Sequence, residues 1–420
     1  MSEWKEVSLK DITELVIDYR GKTPLKLGGE WSNHGYRALS AKNVKTGIIV
    51  AEESIRYVNE DLYKKWMKDE VQKGDILITS EAPFGEVYFW NTDEKIVLSQ
   101  RLFDVRIKKG VCPQYVYYYM TSYQFQAELR SRASGTTVLG LKQPELLKTK
   151  VILPNYETQV KIAGQLSEID SKIENNRKIC ANLEAQAQAL FKHWFIDFAP
   201  FKDGKFVESE LGMIPEGWRV GKLSDYVDNL SGYSYKGSEL QPSSIAMATI
   251  KNFVRGGGFK TEGYKEIVIS KVIKDYQYIN LFDVLVAHTD LTQNAEVVGN
   301  PAIVLSTAGY DKLIMSMDLT KVVSKDKRLT SSLIHSILST RKFKEHALGY
   351  VNGTTVLHMS KKAVPEYTLA MPINLDVLKE LTSGLNDLYQ MMSETYAENL
   401  LLSTLRDTLL PKLMSGEIKV

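Results

Sequence analysis

Two short stretches of this 420-residue chain contain residue types that occur in enzyme active sites. Glu3-Trp4-Lys5 has a nuclease-like carboxylate–x–lysine spacing, but it lies at the extreme N-terminus, with no aspartate upstream on a strand. Asn300-Pro301-Ala302-Ile303 weakly matches the Asn-Pro-Pro-aromatic motif of adenine methyltransferases. The aromatic residue that would stack on a flipped base is missing there. We therefore expect a solvated terminus at the first stretch and no methyltransferase site at the second.

Other reactive motifs are absent from the sequence. It contains no GxxxxGK[ST] phosphate loop, no FxGxG cofactor turn and no Gly-x-Ser-x-Gly nucleophile elbow. The six histidines have no metal-ligand spacing, and His193 is expected on a helix surface. Cys112 and Cys180 form neither a disulfide framework nor a CxxC site. These absences predict a binding protein without a metal site, and they argue against an enzyme.

The composition is typical of a soluble globular protein with more than one domain. The apolar fraction is 44%, the charged fraction is 25%, and the length exceeds what one core usually fills. No apolar run approaches the length of a membrane span, and the N-terminus does not resemble a signal peptide, so we expect a cytoplasmic protein. The net charge of +2 gives little information, because phosphate contacts need locally clustered lysines and arginines.

An internal repeat indicates the architecture. Residues 135–139 read GTTVL, and residues 353–357 read GTTVL again, 218 positions later. Pro154 matches Pro372 at the same offset. A period of half the chain predicts two similar lobes related by a pseudo-twofold axis, not a solenoid of small units.

Each lobe is followed by a segment with apolar residues at alternating spacings of four and three, the heptad pattern of a coiled coil. Two such helices in one chain most simply pair with each other, and a pseudo-twofold axis crossing them makes them antiparallel. The predicted pairing seam consists of Leu166, Ile169, Ile173, Asn176, Leu183, Leu190, Leu385, Leu388, Met392, Thr395, Leu402 and Leu409.

Several residues mark the predicted ends of these helices. Asn155 and Asn374 are expected N-caps, because an asparagine side chain can accept a hydrogen bond from the first helical turn. Pro200 is expected to stop the first helix, and Pro411 to kink or end the second. Arg406 interrupts the second seam, and neighbouring Leu405 is expected to take the buried position.

Polar seam residues should meet near the middle of the pair. Asn176, Thr395 and Asn399 would then lie close together, and a buried asparagine in a seam fixes helix register at some expense of stability. The alternative is that these side chains point to solvent on slightly rotated helices.

The lobes have the pattern of mixed α/β domains with short strands. Alternating β-rich runs at 74–80 and 86–90 in the first lobe correspond to runs at 282–289 and 302–306 in the second. The predicted fold class is thus two α/β (α+β) lobes joined by two long antiparallel coiled-coil helices. The predicted domains are residues 1–155, 156–198, 199–372 and 373–420.

Three longer stretches indicate a family. They are GTTVLGLKQPELLKTKVILPNYETQVKIA (135–163), the region from FKHWFIDFAPF to GMIPEGWRVGKL (191–223), and LRDTLLPKLMSGEI (405–418). Each resembles a conserved region of the specificity (S) subunits of type I restriction–modification systems. Shorter matches with the same family are RGKTP (20–24), TSEAPFGEV (79–87), GYSYKGS (232–238) and AHTDLTQNAEVVG (287–299).

The resemblance implies a non-catalytic DNA-recognition subunit with two target-recognition domains. Each domain would read one half of an asymmetric, split sequence in double-stranded DNA, and the helices would set the spacer. Two modification (methyltransferase) subunits would dock on the chain, and restriction subunits would add translocation and cleavage. S-adenosylmethionine, ATP and Mg would then be bound by those partners and no cofactor by this chain.

Residues that could touch DNA are expected in loops near the start of each lobe. Arginine and lysine can donate to guanine, and asparagine can bracket adenine, although a solvated surface charge is the alternative for each. The candidates are Arg20, Lys22, Arg37, Lys42, Asn43, Lys236, Lys251, Asn252 and Arg255. Gly256–Gly258 could let the backbone approach a phosphate or could form a hairpin turn. The run Tyr117–Tyr119 is expected in the core, not as a base-stacking platform.

Two rival functions remain open at this point. A stand-alone methyltransferase would bind S-adenosylmethionine as the isolated chain. A scaffold for protein partners would lack the salt-dependent affinity for duplex DNA that phosphate contacts produce.

Overall fold

The computed structural model describes residues 4–135 and 138–420, so Glu3 and the repeat residues Thr136 and Thr137 lie outside the described residues. The chain divides into two compact units, Met1–Lys172 with Leu402–Val420, and Ile173–Leu401. Each unit therefore contains one lobe and one end of both long helices, whereas the sequence suggested separate lobe and helix domains. Among the described residues, no helix is long and apolar enough to cross a membrane.

The first unit contains mainly short strands. They are β1 (Lys5–Ser8), β2 (Thr13–Asp18), β3 (Tyr36–Leu39), β4 (Val44–Lys45), β5 (Ile48–Ile49), β6 (Arg56–Val58), β7 (Ile76–Thr79), β8 (Val87–Phe89), β9 (Ile96–Leu98), β10 (Leu102–Ile107) and β11 (Lys150–Leu153). The helices are α1 (Leu9–Ile12), α2 (Glu60–Trp66), α3 (Pro113–Thr121), α4 (Tyr123–Ser131), α5 (Gln143–Leu147) and the first part of α6 (Tyr156–Phe195). Short 3-10 turns cover Leu25–Leu27, Ala41–Asn43 and Glu52–Ser54.

The second unit repeats this content. Its strands are β12 (Phe206–Ser209), β13 (Gly212–Pro215), β14 (Trp218–Lys222), β15 (Val227–Ser231), β16 (Ile245–Ala248), β17 (Lys265–Glu266), β18 (Tyr278–Ile279), β19 (Val284–Ala287), β20 (Thr289–Asp290), β21 (Pro301–Ile303), β22 (Lys312–Met315), β23 (Leu319–Ser324), β24 (Val351–Asn352), β25 (Leu357–Met359) and β26 (Thr368–Pro372). Its helices are the rest of α6, α7 (Ser331–Leu338), α8 (Arg341–Leu348) and most of α9 (Lys379–Met414). Short 3-10 turns cover Ala199–Phe201, Leu223–Asp225, Gly237–Glu239, Ile250–Asn252, Thr261–Gly263, Asp275–Gln277 and Leu375–Leu378.

The sheets of the two units have matching topologies. The first unit has a four-stranded sheet in the order β2-β10-β7-β8, and the second has β15-β23-β19-β21. In each unit a second sheet contains one parallel pair, β3 with β9 and β16 with β22. In each unit the strand that opens the lobe also pairs antiparallel with the strand that closes it, β1 with β11 and β14 with β26. The duplication predicted from the GTTVL repeat is confirmed at the level of strand order.

The β-rich runs predicted from alternation form the inner strands β7 and β19 and their partners β8 and β21. Successive residues of a strand point to opposite faces. Ile76 and Ile78 of β7 accordingly pack in one buried cluster, and Leu77 packs in another on the opposite face. The sheet is buried on both sides, which explains why these runs are almost wholly apolar.

The glycine that opens each GTTVL copy has a positive φ angle in both lobes. Gly135 has φ +107° and Gly353 has φ +124°, a region that L side chains rarely adopt. A Cβ at Gly135 would lie 2.2 Å from the carbonyl oxygen of Val138, and one at Gly353 would lie 2.1 Å from that of Val356. Only glycine fits this turn, which gives a physical reason for its presence in both copies.

The long helices run antiparallel in each unit. In the first unit Arg406 of α9 donates from Nη1 to Asp170 of α6 at 2.9 Å. In the second unit Asn176 of α6 contacts Asn399 of α9, and a Cβ at Gly384 would lie 3.0 Å from Leu190. At 1.5 Å per residue, a helix of 40 residues such as α6 is about 60 Å long.

The predicted seam is buried over most of its length. Its buried members are Leu166, Ile173, Asn176, Leu183, Leu385 and Met392, and its half-buried members are Ile169, Leu190, Leu388, Thr395, Leu402 and Leu409. Leu166 packs with Leu413 in a cluster that also contains lobe residues. The seam thus packs against the lobe as well as against the partner helix.

The predicted helix ends are partly correct. The Asn155 side chain accepts a hydrogen bond from Thr158 at 2.9 Å, as expected for an N-cap. Asn374 caps the 3-10 turn that precedes α9 and not α9 itself. The helix α6 ends at Phe195, before Pro200, and α9 continues three residues beyond Pro411 to Met414. Pro411 removes one backbone hydrogen bond and crowds the carbonyl four residues before it, and only three helical residues follow it.

One seam prediction was wrong. Leu405 is 48% exposed, whereas Arg406 is half-buried and bridges to Asp170. Asp170 also accepts a hydrogen bond from the Tyr118 hydroxyl at 2.8 Å. The polar network of Tyr118, Asp170 and Arg406 therefore takes the place that an apolar residue would have filled. Tyr117–Tyr119 lie on α3 and are buried, which confirms their prediction as core residues.

Candidate nucleic-acid interface

A matched pair of 3-10 turns presents one lysine in each lobe. Ser40 N donates to the Asn43 side chain at 3.1 Å, and Thr249 N donates to the Asn252 side chain at 2.8 Å. This matching capping contact holds each turn at the end of a strand of the second sheet, β3 in the first unit and β16 in the second. Lys42 and Lys251 occupy the same position in the two turns, and both side chains are exposed. The structure thus brings two predicted DNA contacts into equivalent positions of the two lobes.

The same contacts remove Asn43 and Asn252 from the candidates. Asn43 is 1% exposed and Asn252 is 0% exposed. The Asn43 amide nitrogen donates to Ser54 at 3.2 Å, and that of Asn252 donates to the Lys260 carbonyl at 2.9 Å. Both side chains are used in shaping their turns, and neither is free to bracket adenine in this structure.

Two cations near the start of the first lobe are held by their own surroundings. Arg20 makes a two-pronged ion pair with Asp18 and lies 3.9 Å above the Phe103 ring. Lys22 donates to the Trp66 carbonyl, and burial lowers the pKa of its amine. Each would have to leave a well-formed contact to bind a phosphate or a base.

Arg37 is likewise held, by a two-pronged ion pair with Glu94 at 2.7 and 2.6 Å and with 25% of its side chain exposed. Two cations of the second lobe are freer to reach a ligand. Arg255 lies 3.2 Å from Glu296 with 64% of its side chain exposed, and an ion pair this exposed contributes little free energy. Lys236 begins a 3-10 turn and its side chain is exposed.

The first unit contains a polar cleft beside the Lys42 turn, with a volume of about 240 Å³. It is lined by Trp31, Ala38, Ser40, Ala41, Lys42, Asn43, Ser54, Arg56, Ala82, Ser99, Gln100 and Arg101. Three cations lie along it, and the Arg56 guanidinium lies 5.1 Å from the centre of the Trp31 ring. Positive groups beside an aromatic face suit the phosphates and bases of nucleic acid.

Three cleft residues were missed from the sequence, namely Trp31, Arg56 and Arg101. Arg101 directly precedes the core strand β10, and its φ of 62° is unusual for a residue with a side chain. In the sequence, only its position as a charged residue next to an apolar run could have marked Arg101 as a candidate. The approach of Trp31 and Arg56 depends on strand pairing, which the sequence does not reveal.

The glycine run of the second lobe forms a hairpin turn. Val254 N donates to Gly258 O at 3.1 Å, and Gly257 N donates to Val254 O at 3.0 Å. Gly257 and Gly258 line a cavity of about 240 Å³ whose other lining residues include Cys180 and Tyr396 of the long helices. The hairpin alternative is confirmed.

Asn300 has a structural role. It is 7% exposed, its amide nitrogen donates to the Glu296 carbonyl at 2.8 Å, and its oxygen accepts from Lys344 at 2.7 Å. Both ends of the Asn300 amide are therefore engaged within the protein and are not free to bind a flipped base. Within the described residues, no group of three or more His, Cys, Asp or Glu side chains could hold a metal ion.

Comparisons with known proteins show what the chain is similar to. Residues 1–185 match the family model described as type I restriction modification DNA specificity domain. Over its whole length the chain is similar to specificity subunits of type I restriction enzymes. The MjaIX specificity subunit of Methanocaldococcus jannaschii is 26% identical to it over 432 residues, covering 100% of this chain and 94% of that protein. The HindI specificity subunit of Haemophilus influenzae is 24% identical over 484 residues, covering 100% of both.

A solved structure supports the fold of this chain. The type I restriction–modification system S subunit from M. genitalium aligns with a TM-score of 0.57, covering 98% of this chain and 96% of that one. The sequence identity is 13%, so this similarity supports the fold alone.

Proposed function

We propose that this chain recognises a split, asymmetric site in double-stranded DNA, with each lobe reading one half. The main support for the proposal is the duplication of the lobe. The two lobes share strand order, register and the capped lysine turn, while the residues around that turn differ. A repeated scaffold with divergent exposed residues suits two half-sites of different sequence.

The long helices would set the distance between the half-sites. Half-sites one helical turn of DNA apart, about 34 Å, lie on the same face of the duplex. The hydrogen bond from Asn176 to Asn399 favours one register of the helix pair, and a fixed register would keep that distance constant.

The helices would also dock the partner subunits. Several apolar side chains of α6 and α9 are exposed, with Ile179 37%, Met391 50% and Leu401 71% exposed. Exposed apolar side chains on this pair of helices would suit a protein interface. The proposed partners are two modification subunits and, in the complete assembly, restriction subunits.

Catalysis would take place on those partners. S-adenosylmethionine, ATP and Mg would be bound by the modification and restriction subunits, and this chain would supply recognition and positioning. The structural role of Asn300 favours this division of labour. Binding of S-adenosylmethionine by the isolated chain would support the rival methyltransferase function instead.

Footprinting of duplex DNA bound by the chain with its modification subunits tests the proposal. We expect two protected tracts separated by an unspecific gap, and one continuous tract would contradict the two-lobe function. Exchange of residues 1–155 for the first lobe of another specificity subunit should change one half-site only. Affinity that does not depend on salt would favour a scaffold for protein partners.

A further inference from the structure

A two-residue turn leads into an inner strand of the main sheet in each lobe, and two matching backbone hydrogen bonds flank it in both. Ser99 N donates to Leu39 O at 2.8 Å, and Ser316 N donates to Ala248 O at 2.9 Å. At the second residue of each turn, the carbonyl accepts a hydrogen bond from the chain that follows the neighbouring strand. Ser80 N donates to Arg101 O and His288 N donates to Asp318 O, both at 2.8 Å. Gln100–Arg101 and Met317–Asp318 are therefore structurally equivalent pairs.

The side chains of these pairs are different in chemistry. Gln100 and Arg101 are exposed, Met317 is 57% exposed, and Asp318 is half-buried. None of the four belongs to a buried apolar cluster. Both lobes thus hold a pair of residues at the same place in the fold. The second residue of the pair is an arginine in the first lobe and an aspartate in the second.

The turn of the first lobe adjoins the lysine turn. Ala41 N donates to Gln100 O at 3.0 Å, which joins the Lys42 turn to the Arg101 turn in the lining of the cleft. Lys42 can supply the phosphate contact that positions a duplex, and such contacts carry no sequence information. Arg101 lies beside that anchor, where a base edge would be presented.

Neither the Arg101 side chain nor the Asp318 side chain makes a strong contact within the part of the protein that the structure describes. Arg101 Nε lies 3.4 Å from Glu81, with 52% and 38% of the two side chains exposed. A pair this long and this exposed is easily exchanged for a ligand. The Asp318 side chain makes no hydrogen bond or ion pair to another residue in the described ranges 4–135 and 138–420. The left-handed backbone at Arg101 is a further sign of function, since such strain is concentrated at ligand sites.

We propose that Gln100–Arg101 and Met317–Asp318 are matched base-reading positions and that they read opposite hydrogen-bonding edges. Arg101 would donate to the acceptor edge of guanine, O6 and N7, and Asp318 would accept from an amino group on a base edge. The inference rests on the proposed DNA-recognition function and adds which residues discriminate. It explains how one scaffold gives two half-sites of different sequence.

Selection from a randomised duplex library by the chain in complex with its modification subunits tests the inference. Arg101→Gly removes the side chain and suits the left-handed backbone, so the turn should be kept. We expect loss of preference for guanine at one position of one half-site, by roughly 5- to 150-fold, with the other half-site unchanged. Arg101→Lys should keep affinity and relax the same position, because lysine lacks the two-pronged geometry.

The second lobe offers the complementary test. Asp318→Asn should alter preference at one position of the other half-site, and Arg130→Ala, an exposed cation on α4, serves as a control that should change neither. An unchanged sequence preference in both turn variants would overturn the inference. An equal loss of affinity for all sequences with a smaller salt dependence would also overturn it, because that result identifies phosphate contacts. A wild-type complex that selects no sequence at all would refute the proposed function itself.

Discussion

Asp104 and Lys321 occupy equivalent positions on the inner strands of the two main sheets, an acid in the first lobe and an amine in the second. Asp104 lies opposite Leu77, and Lys321 lies opposite Leu285, in the same register. Lys321 contacts Asp283 at 3.1 Å, the residue that precedes β19. In the first lobe Asp75 precedes β7, and its cation is Arg106, two residues farther along β10. The duplicated scaffold therefore accepts an acid or an amine at the same buried position, and the cation that pairs with the aspartate before the inner strand comes from a different position of the neighbouring strand.

Asp104 should make the first lobe sensitive to alkaline pH. Its side chain is fully buried, and burial followed by the charge of nearby Asp75 raises the pKa of its carboxyl well above the ordinary value. A raised folded-state pKa means that the protonated form is favoured on folding, so stability is complete at low pH and falls as pH rises through the folded pKa. We expect Asp104→Asn to stabilise the first lobe above that pKa by about 1–3 kcal/mol.

Hydrogen exchange of the β10 amides, compared between pH 5 and pH 8, measures this effect. The wild type should lose protection at pH 8, and Asp104→Asn should not. The β23 amides of the second lobe serve as an internal control and should respond equally in both proteins. Equal protection of β10 at both pH values in the wild type would refute the prediction.

The second lobe should respond in the opposite direction. Burial is the main cause that lowers the pKa of His335 to about 4, and the same is true of His288. The ring of His335 hydrogen-bonds the Tyr389 hydroxyl at 2.7 Å. Because the unfolded chain takes up these protons near pH 6.5, stability is complete above that pH and is lost as pH falls toward 4. The loss for each histidine should reach about 3 kcal/mol.

Stepwise acidification followed by hydrogen exchange of α7 detects that loss. We expect α7 amides to lose protection between pH 6.5 and 4, and His335→Gln to reduce the pH dependence. His193→Gln changes an exposed histidine on α6 and should leave the profile as in the wild type. A profile of His335→Gln identical to that of the wild type would show that His335 does not control the transition.

The sequence was sufficient to predict elements whose signal is local or repeated. The heptad spacing predicted α6 and α9, because one buried stripe is visible within a single helix. The GTTVL repeat predicted the duplication, and the structure shows why its glycine is required. By contrast, the seam contains Arg406 and not Leu405 because Arg406 joins Tyr118 and Asp170, which are distant in the sequence. No local pattern reports such a network.

The candidate interface was less predictable for the same reason. Lys42 and Asn43 are neighbours with the same polar character in sequence, yet one is exposed and the other is buried. The difference arises from the capping contact with Ser40, which only the folded turn makes. The equivalence of Arg101 and Asp318 required matched hydrogen bonds to neighbouring strands, since the two lobes have little sequence in common around them.

The repeated glycine provides a test of the strained turn. Gly353→Ala would place a Cβ against the Val356 carbonyl oxygen, so we expect the second lobe to lose about 1–3 kcal/mol of stability. Gly256→Ala is the matched control, because a Cβ there would meet nothing within 4 Å. Differential scanning calorimetry should show a lower Tm for the first variant only. An unchanged Tm for Gly353→Ala would mean that the turn relaxes without loss.

The polar contact in the helix seam should control register more than stability. Asn176 is 1% exposed and donates to Glu398 at 2.6 Å and to Asn399 at 3.0 Å. Asn176→Leu replaces a buried amide with an apolar side chain, so we expect equal or higher Tm but a weaker preference for one helix register.

If the helices set the spacer, selection by the Asn176→Leu variant from a randomised DNA library should yield half-sites at more than one spacing. Asn175→Leu changes the exposed neighbouring residue and should keep a single spacing. One sharp spacing in the Asn176→Leu selection would show that the rest of the seam is sufficient to fix the register.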